Sequence, residues 1–446
     1  MAVPEESLAL ITFPTAPLTE WLIRRALGLV LPNITITSLP ADFASSPNGV
    51  LQWAAYDSIN HELTLYNKRV LASALIIRKA LIRKHFLAGI TEAYVKKRPQ
   101  SILRAAVPRT WHVEIAFADE LDELWTDDLY DLSEILDAGE TDHVSRKWWI
   151  LKPSMADAGM DIHLFDTKAK LRGIIEGFDP TDSGSYEDDD DDDAGHLLSQ
   201  LRHFVIQEYI SDPVLIDPRQ PKAPLPDHHE NFHGHKFHIR AYCVVRGALD
   251  VFLYEKPLAL FAPAPYASLP TADSGVQDIP LSYEGHLTNT SLQKEEDSTY
   301  VKLLEELQGN IDDYGHTVLA SDVSDLLDQM ATILTETFQA AVDTPVHFQP
   351  LPNAFELFGV DFLVSHVASD NGGSSERYKA SLLEFNAEPA IEKTGLRLRW
   401  ILEELFVGIA QVSVRPFLEG DSPEPWEIGV VKHGLRKCSS LQVRSS

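Results

Sequence analysis

Two apolar runs near the far end of this chain carry acidic or amide side chains where a buried strand should carry none: Phe355-Glu-Leu-Phe-Gly-Val-Asp-Phe-Leu-Val364 and Ser381-Leu-Leu-Glu-Phe-Asn386. Side chains alternate across a strand, so Glu384 and Asn386 share one face. The Ser/Gly-rich stretch 365–380 lets the strand bearing Asp361 pair antiparallel beside them. Two carboxylates side by side in an apolar sheet repel and are costly to bury unless a cation lies between them. Magnesium suits such a place, because it takes hard oxygen ligands and is commonly held by one or two carboxylates together with substrate phosphates. Two strand ends whose acids face solvent would give the same pattern, and these runs alone leave both arrangements open.

The chain of 446 residues is long enough for two or three packed subdomains. Its two cysteines, Cys243 and Cys438, exclude a disulfide framework or thiolate cluster and fit a reducing compartment. The acidic start and an apolar run that stops at Phe13 do not make a signal peptide, and no window suits a membrane span, so a cytoplasmic or nuclear place is expected. The net charge of -29 disfavours direct nucleic-acid binding. It is unevenly spread: from Lys68 to Arg109 there are eleven Lys or Arg and one acid, Glu92. That region is either a receptor for an acidic partner or the solvated faces of helices around Leu71–Leu87, where Arg78, Lys79, Arg83 and Lys84 fall at helical spacing. The run Glu187 to Asp193 predicts a disordered, solvated loop.

Strands are expected over Leu8–Phe13, Ile34–Leu39 and Leu51–Tyr56, with an amphipathic helix over Leu18–Leu31 opened by Pro17, the start of an α/β layer. Strands over Lys147–Pro153 and Met160–Phe165, joined by the turn 154–159, form a hairpin with Lys152 at its mouth, one way to cover phosphates. Trp148 and Trp149 are assigned to the core. A short helix, the acidic loop and a second helix fill 167–202, before a strand over Phe204–Ile210. Residues 212–235 form a surface excursion. Lys236 to Val245 alternates Lys, His and Arg on one face with apolar residues on the other, and Val251–Phe261 is its hairpin partner. Ser321 caps a helix reaching Ala341, and another covers Leu396–Val412. His228, His229, His233, His235 and His286 fit no standard zinc spacing and are assigned to solvated loop.

Six of these pieces follow one another as Trp149-Ile-Leu-Lys-Pro153, Gln207-Glu-Tyr-Ile210, His235-Lys-Phe-His-Ile-Arg240, His286-Leu-Thr-Asn289, Phe355 to Asp361 and Leu383-Glu-Phe-Asn386. Their order resembles the tubulin-tyrosine ligase family, and Leu51-Gln-Trp with the Ile76 to Lys84 stretch is similar to its fungal members associated with mRNA-decay bodies. The resemblance implies an α+β / α/β class and an ATP-grasp fold. It divides the chain into a small α/β N-terminal domain over 1–66, a central domain over 67–210 with the acidic loop near 183–195, and a C-terminal mixed-sheet domain over 211–446 with the magnesium site.

The resemblance further implies ATP and Mg2+ as cofactors. Lys152, Gln207, Tyr209 and Ile210 would hold the nucleotide, Lys236 and Arg240 would face the transferred phosphoryl group, and Asp361, Glu384 and Asn386 would hold magnesium. The implied reaction is ligation of an amino acid to a protein carboxylate through an acyl phosphate, in which positioning and charge neutralisation suffice. Three positions depart from the pattern. The loop 154–161 keeps one glycine, Gly159, and adds Asp157 and Asp161. His238 stands where the family has an aspartate, and Leu260 where a substrate-gripping arginine is expected. Two functions are compatible with these residues: a ligase acting on tubulin or another protein, or an ATP-grasp scaffold binding partners such as mRNA-decapping factors.

Overall fold

The computed structural model describes residues 7–37, 49–142, 146–154, 161–178, 203–219, 233–269, 283–288, 298–367, 376–420 and 425–441, and three sheets organise them. The first is parallel and consists of β1 (Leu8–Thr12), β2 (Thr35–Thr37), β3 (Val50–Ala54) and β4 (Val70–Ala72), in the order β2-β1-β3-β4. Pro17 opens the helix Pro17–Val30, where its missing N–H costs nothing. Leu22, Ile23, Ala26, Leu27 and Val30 form the buried stripe of that helix.

β4 corrects the helical reading of Leu71–Leu87. Val70–Ala72 completes the parallel sheet, and helical backbone begins only at Lys79–Ile82 and Lys84–Lys97. Arg78 is not on a solvated face. It is buried against Glu356 of the C-terminal sheet, and Leu75, Leu81, Leu87 and Ile90 join the core beneath that sheet.

The second sheet contains β5 (Thr110–Glu114), β6 (Trp149–Pro153), β7 (His163–Phe165) and β8 (His203–Glu208), in the order β5-β8-β6-β7. Trp149, Phe165 and Phe204 pack with Leu132 and Leu136 of the helix Tyr130–Thr141 and Leu171 of the helix Lys168–Glu176. Trp148 is also buried, as expected. β8 stops at Glu208, so Tyr209 and Ile210 lie just beyond the strand rather than in it. The acidic loop and the second helix expected within 167–202 lie outside the described residues.

The third sheet is the largest: β9 (Leu215–Ile216), β10 (His235–Arg246), β11 (Asp250–Tyr254), β12 (Leu258–Phe261), β13 (Val301–Leu303), β14 (Phe355–His366), β15 (Tyr378–Asn386), β16 (Val431–Lys432) and β17 (Leu435–Ser440). The expected single strand Val251–Phe261 is two, β11 and β12, separated at Glu255–Pro257; Pro257 lacks the N–H that would continue the ladder. β9 draws Val214 and Ile216 out of the expected surface excursion and into the core.

β10 is the spine of this sheet, and its two faces differ. Phe237, Ile239, Ala241, Cys243 and Val245 pack toward the helix Ala320–Val342. The opposite face begins with Lys236, His238 and Arg240 and turns apolar at Tyr242 and Val244, which pack with the helix Arg399–Ile409. The change from charge to hydrocarbon along one face marks where the sheet leaves the core and enters the site. The helix Ala320–Val342 starts one residue before the expected Ser321 cap, where the Asp322 carboxylate accepts the Leu319 N–H at 2.6 Å.

Candidate functional site

Register brings three strands to one row. Arg240 on β10 lies opposite Asp361 on β14, and Asp361 lies opposite Glu384 on β15, so all three side chains rise from the same face. A register shift follows Asp361, splaying the two carboxylates at the sheet end. Arg240 grips Asp361 with two donors: Nε to Oδ1, and Nη2 to Oδ2 at 2.9 Å. Asn386 Nδ2 donates to Asp361 Oδ2 at 3.2 Å. Burial raises the cost of charge on Asp361, but Arg240 and then His238 outweigh it and hold the carboxyl below its ordinary value. Burial opposes the Arg240 charge as well, and Asp361 reverses that, raising the guanidinium above its usual value.

Two lysines complete the site, with no carboxylate partner among the described residues. Lys152, partly buried at the end of β6, donates to Gln207 Oε1 at 2.9 Å, and Gln207 Nε2 donates to Thr110 Oγ1 at 3.1 Å. Lys236 is buried and donates to the Tyr209 hydroxyl at 3.1 Å, its ammonium 4.2 Å from the ring centroid. Desolvation lowers Lys152 to about 8, with Lys84 adding to the effect against Glu384 and Asp361. Lys236 falls to about 7 through desolvation and the charge of Lys152.

Several contacts in the site carry no signal in the sequence. Tyr209 O–H is bonded to His286 Nδ1 at 2.8 Å, and His238 Nδ1 to Thr288 Oγ1 at 2.7 Å, so the His286 to Thr288 segment buttresses β10. His286 is a buried partner of Tyr209 and not a solvated loop histidine; burial and Lys236 push it down to about 4. Lys84 Nζ lies 3.6 Å from Glu384 Oε2, and the neighbouring His85 N–H donates to Ser154 Oγ at 3.1 Å. Lys84 belongs to the basic run 68–109, but only tertiary structure joins it to Glu384, 300 positions away in the chain.

A cleft of about 1120 Å3 is lined by Lys84, His85, His238, Arg240, Glu384 and Asn386. A second opening of about 720 Å3 is lined by Glu208, Tyr209 and Ile210 with Trp111 and His366. Leu260, opposite His238 on β12, contributes an apolar wall to the first. Asp157, Gly159 and Asn289 lie outside the described residues, as do His228 and His229. His233 and His235 are described, and His235 Nδ1 is bonded to the Ala262 carbonyl at 2.8 Å.

Asp361, Glu384 and Asn386 fit magnesium in chemistry: two carboxylates and an amide, all hard oxygen donors, meet on adjacent strands. Among the described residues no trio of His, Cys, Asp or Glu could hold a metal alone. Further ligands would have to come from outside the side chains, as phosphates do for magnesium nucleotides.

Residues 79–422 match the sequence profile described as the Tubulin-tyrosine ligase family. The chain is 34% identical over 416 residues to the probable tubulin–tyrosine ligase PBY1 of Saccharomyces cerevisiae, covering 88% of this chain and 50% of that protein, so it spans about half that relative's length. It is 35% identical over 390 residues to a probable tubulin–tyrosine ligase of Schizosaccharomyces pombe, covering 85% of this chain and 86% of the other. The crystal structure of the C-terminal domain of K. lactis Pby1, described as an ATP-grasp enzyme interacting with the mRNA decapping enzyme Dcp2, superimposes with a TM-score of 0.66 at 28% identity, over 98% of this chain and 99% of that one. With these motifs, this sheet arrangement and this match, the chain belongs to the tubulin-tyrosine ligase family and has an ATP-grasp fold.

Proposed function

We propose that this chain is an ATP-dependent ligase that joins an amino acid to a protein carboxylate. The observation that carries the reading is the pair Lys152 and Lys236: two ammonium groups withdrawn from water, with no carboxylate paired to either among the described residues. Uncompensated positive charge at that depth is costly, and a polyphosphate is the ligand that would offset it. Tyr209 and Ile210 border the second opening and, with Gln207 on the Lys152 ammonium, would hold the base, while Lys152 and Lys236 would neutralise phosphates. Arg240 would meet the transferred phosphoryl group. Asp361, Glu384 and Asn386 would hold magnesium, which supplies charge neutralisation on the phosphates when bound. The side chains then act by placing the acceptor carboxylate and the amine and by excluding water.

A second reading rests on Leu260. An apolar side chain lines the cleft opposite His238, where nothing else on β12 could grip a substrate carboxylate. In that reading the chain is an ATP-grasp scaffold for protein partners, the mRNA-decapping machinery among them, placed in cytoplasmic decay bodies. Among the described residues no helix is long and apolar enough to cross a membrane.

Mg-ATP titration followed by thermal shift separates these from an inert fold, since ligand at about 100 times its dissociation constant adds about 2.7 kcal/mol. A shift in the native chain that is lost in Glu384→Gln supports the site; equal shifts in both would refute it. Incorporation of labelled tyrosine or glutamate into tubulin then distinguishes ligase from scaffold.

A further inference from the structure

The parallel sheet has a topological switch point that the proposed ligase chemistry does not use. The chain leaves β1 through the helix Pro17–Val30 to β2 on one side, then returns to β3 on the other side of β1. Loops diverge there and leave a crevice at the carboxyl ends of the strands, the usual ligand position in open parallel sheets. A cavity of about 250 Å3 occupies that crevice. Phe13 and Thr15 enter it from the end of β1, Ala54 and Tyr56 from the end of β3, and Ser73 and Ala74 from the end of β4.

Its chemistry narrows the occupant. The inner wall is aromatic: the Trp53 ring lies 5.2 Å edge-on from Phe355 and 5.9 Å stacked from Phe406. The charged groups on the lining are one cation, Arg78, and three acids, Glu356, Glu388 and Glu392. Arg78 is bound to Glu356, so that pair is neutral and the two exposed carboxylates at the rim remain. The helix N-terminus, which would otherwise attract an anion, is already occupied: Glu392 Oε1 accepts the Thr19 N–H at 3.3 Å and the Thr19 hydroxyl at 3.0 Å. Phosphates and carboxylates therefore meet a closed dipole and net negative charge. The volume is too small for a dinucleotide and matches a single ring with a short chain.

We propose that this crevice is a binding site for a small organic cation, with an apolar or aromatic body against Trp53, Phe355 and Phe406 and an ammonium group at the rim between Glu388 and Glu392. The site is independent of the nucleotide reading. It stands beside the larger cleft, with which it shares Tyr56, Arg78 and Glu388, and Pro389 between the two acids packs over Gly359.

Isothermal titration with phenethylamine and with its acidic counterpart 3-phenylpropionate tests the proposal on the full chain without nucleotide. Phenethylamine should bind, and the acid should bind at least about tenfold more weakly. Glu388→Gln combined with Glu392→Gln should weaken phenethylamine about five- to tenfold, in line with two exposed charge contacts. Thr15→Phe, a change at an exposed position facing the crevice, should abolish binding while leaving the thermal midpoint in place. Absence of phenethylamine binding at about 1 mM, equal binding of the acid, or undiminished binding to Thr15→Phe would each overturn the site. A Lys152→Met, Lys236→Met variant that loses Mg-ATP yet keeps phenethylamine separates this site from the nucleotide site.

Discussion

Lys236 Nζ rests 3.1 Å from the Tyr209 hydroxyl and 4.2 Å from the centre of its ring, and this contact replaces the carboxylate partner a buried lysine ordinarily needs. Burial and Lys152 bring Lys236 to about 7, while Lys152 itself stands at about 8. Both groups are therefore losing protons near neutrality in the free protein. A bound polyphosphate would favour their charged forms, so nucleotide binding should take up protons between pH 7 and 9. Apparent ATP affinity should fall as pH rises through that window, by up to about tenfold per unit for each lysine. Titration calorimetry in buffers of different ionisation enthalpy measures the uptake directly, and proton release would contradict the arrangement.

The free protein should show the opposite trend in stability. Both lysines have folded-state values below their unfolded ones, so the unfolded chain binds more protons from about pH 7 upward. Their contribution to stability is least favourable at low pH and improves as pH rises toward the ordinary lysine range. Lys236→Met should accordingly leave the free protein as stable as the native chain or more so, and abolish the Mg-ATP thermal shift. Denaturant melts with and without nucleotide check both halves; a less stable, nucleotide-binding Lys236→Met protein would count against them.

The buried pair Arg78 and Glu356 fastens the N-terminal layer to β14. Glu356 also accepts the Leu75 N–H at 3.0 Å, while the Arg78 guanidinium lies 4.1 Å over the Tyr56 ring. Desolvation lowers Arg78 to about 10, as expected of a guanidinium drawn out of water. Glu356→Ala strands that charge and should cost about 3–5 kcal/mol, whereas the joint change Arg78→Met, Glu356→Leu should cost far less. Urea unfolding of the single and double variants decides this.

The local pattern of the site was legible in the sequence, and its cross-chain pairing was not. Strand alternation alone puts Lys236, His238 and Arg240 on one face. An antiparallel pair joined by the 365–380 stretch is enough to bring Asp361 beside Glu384. What those residues touch depends on register between distant segments: the Arg240 clamp on Asp361, the Lys84 contact to Glu384, and the Tyr209 to His286 bond have no local signature. The error at Leu71–Leu87 has the same origin. Basic residues at helical spacing suggested a solvated helix, yet Val70–Ala72 finds an open edge on β3 and Arg78 is drawn inward by an acid from another layer. Tertiary partners override a local periodicity whenever they offer a ladder or a counter-charge.

Gly359 limits how tightly the Arg240 clamp can be held. It lies on β14 opposite Asn386, and a Cβ there would come 2.9 Å from Pro389 Cβ and 3.1 Å from Arg240 Cδ. The Pro389 Cβ belongs to a ring closed on its own backbone, whereas Arg240 Cδ is part of a flexible side chain, so the arginine is the group able to move. Gly359→Ala should cost about 1–3 kcal/mol through overpacking. Its larger effect should be on the site: displacing Arg240 frees Asp361, leaves a buried carboxylate poorly paired, and removes the donor facing the proposed phosphoryl group. Mg-ATP should then stabilise the variant by less than half the native amount, and Pro389→Gly should restore part of the loss by removing the Cβ that the new methyl group meets. Thermal shifts of the single and double variants measure this rescue, and no recovery in the double variant would show that the clamp is not set by this contact.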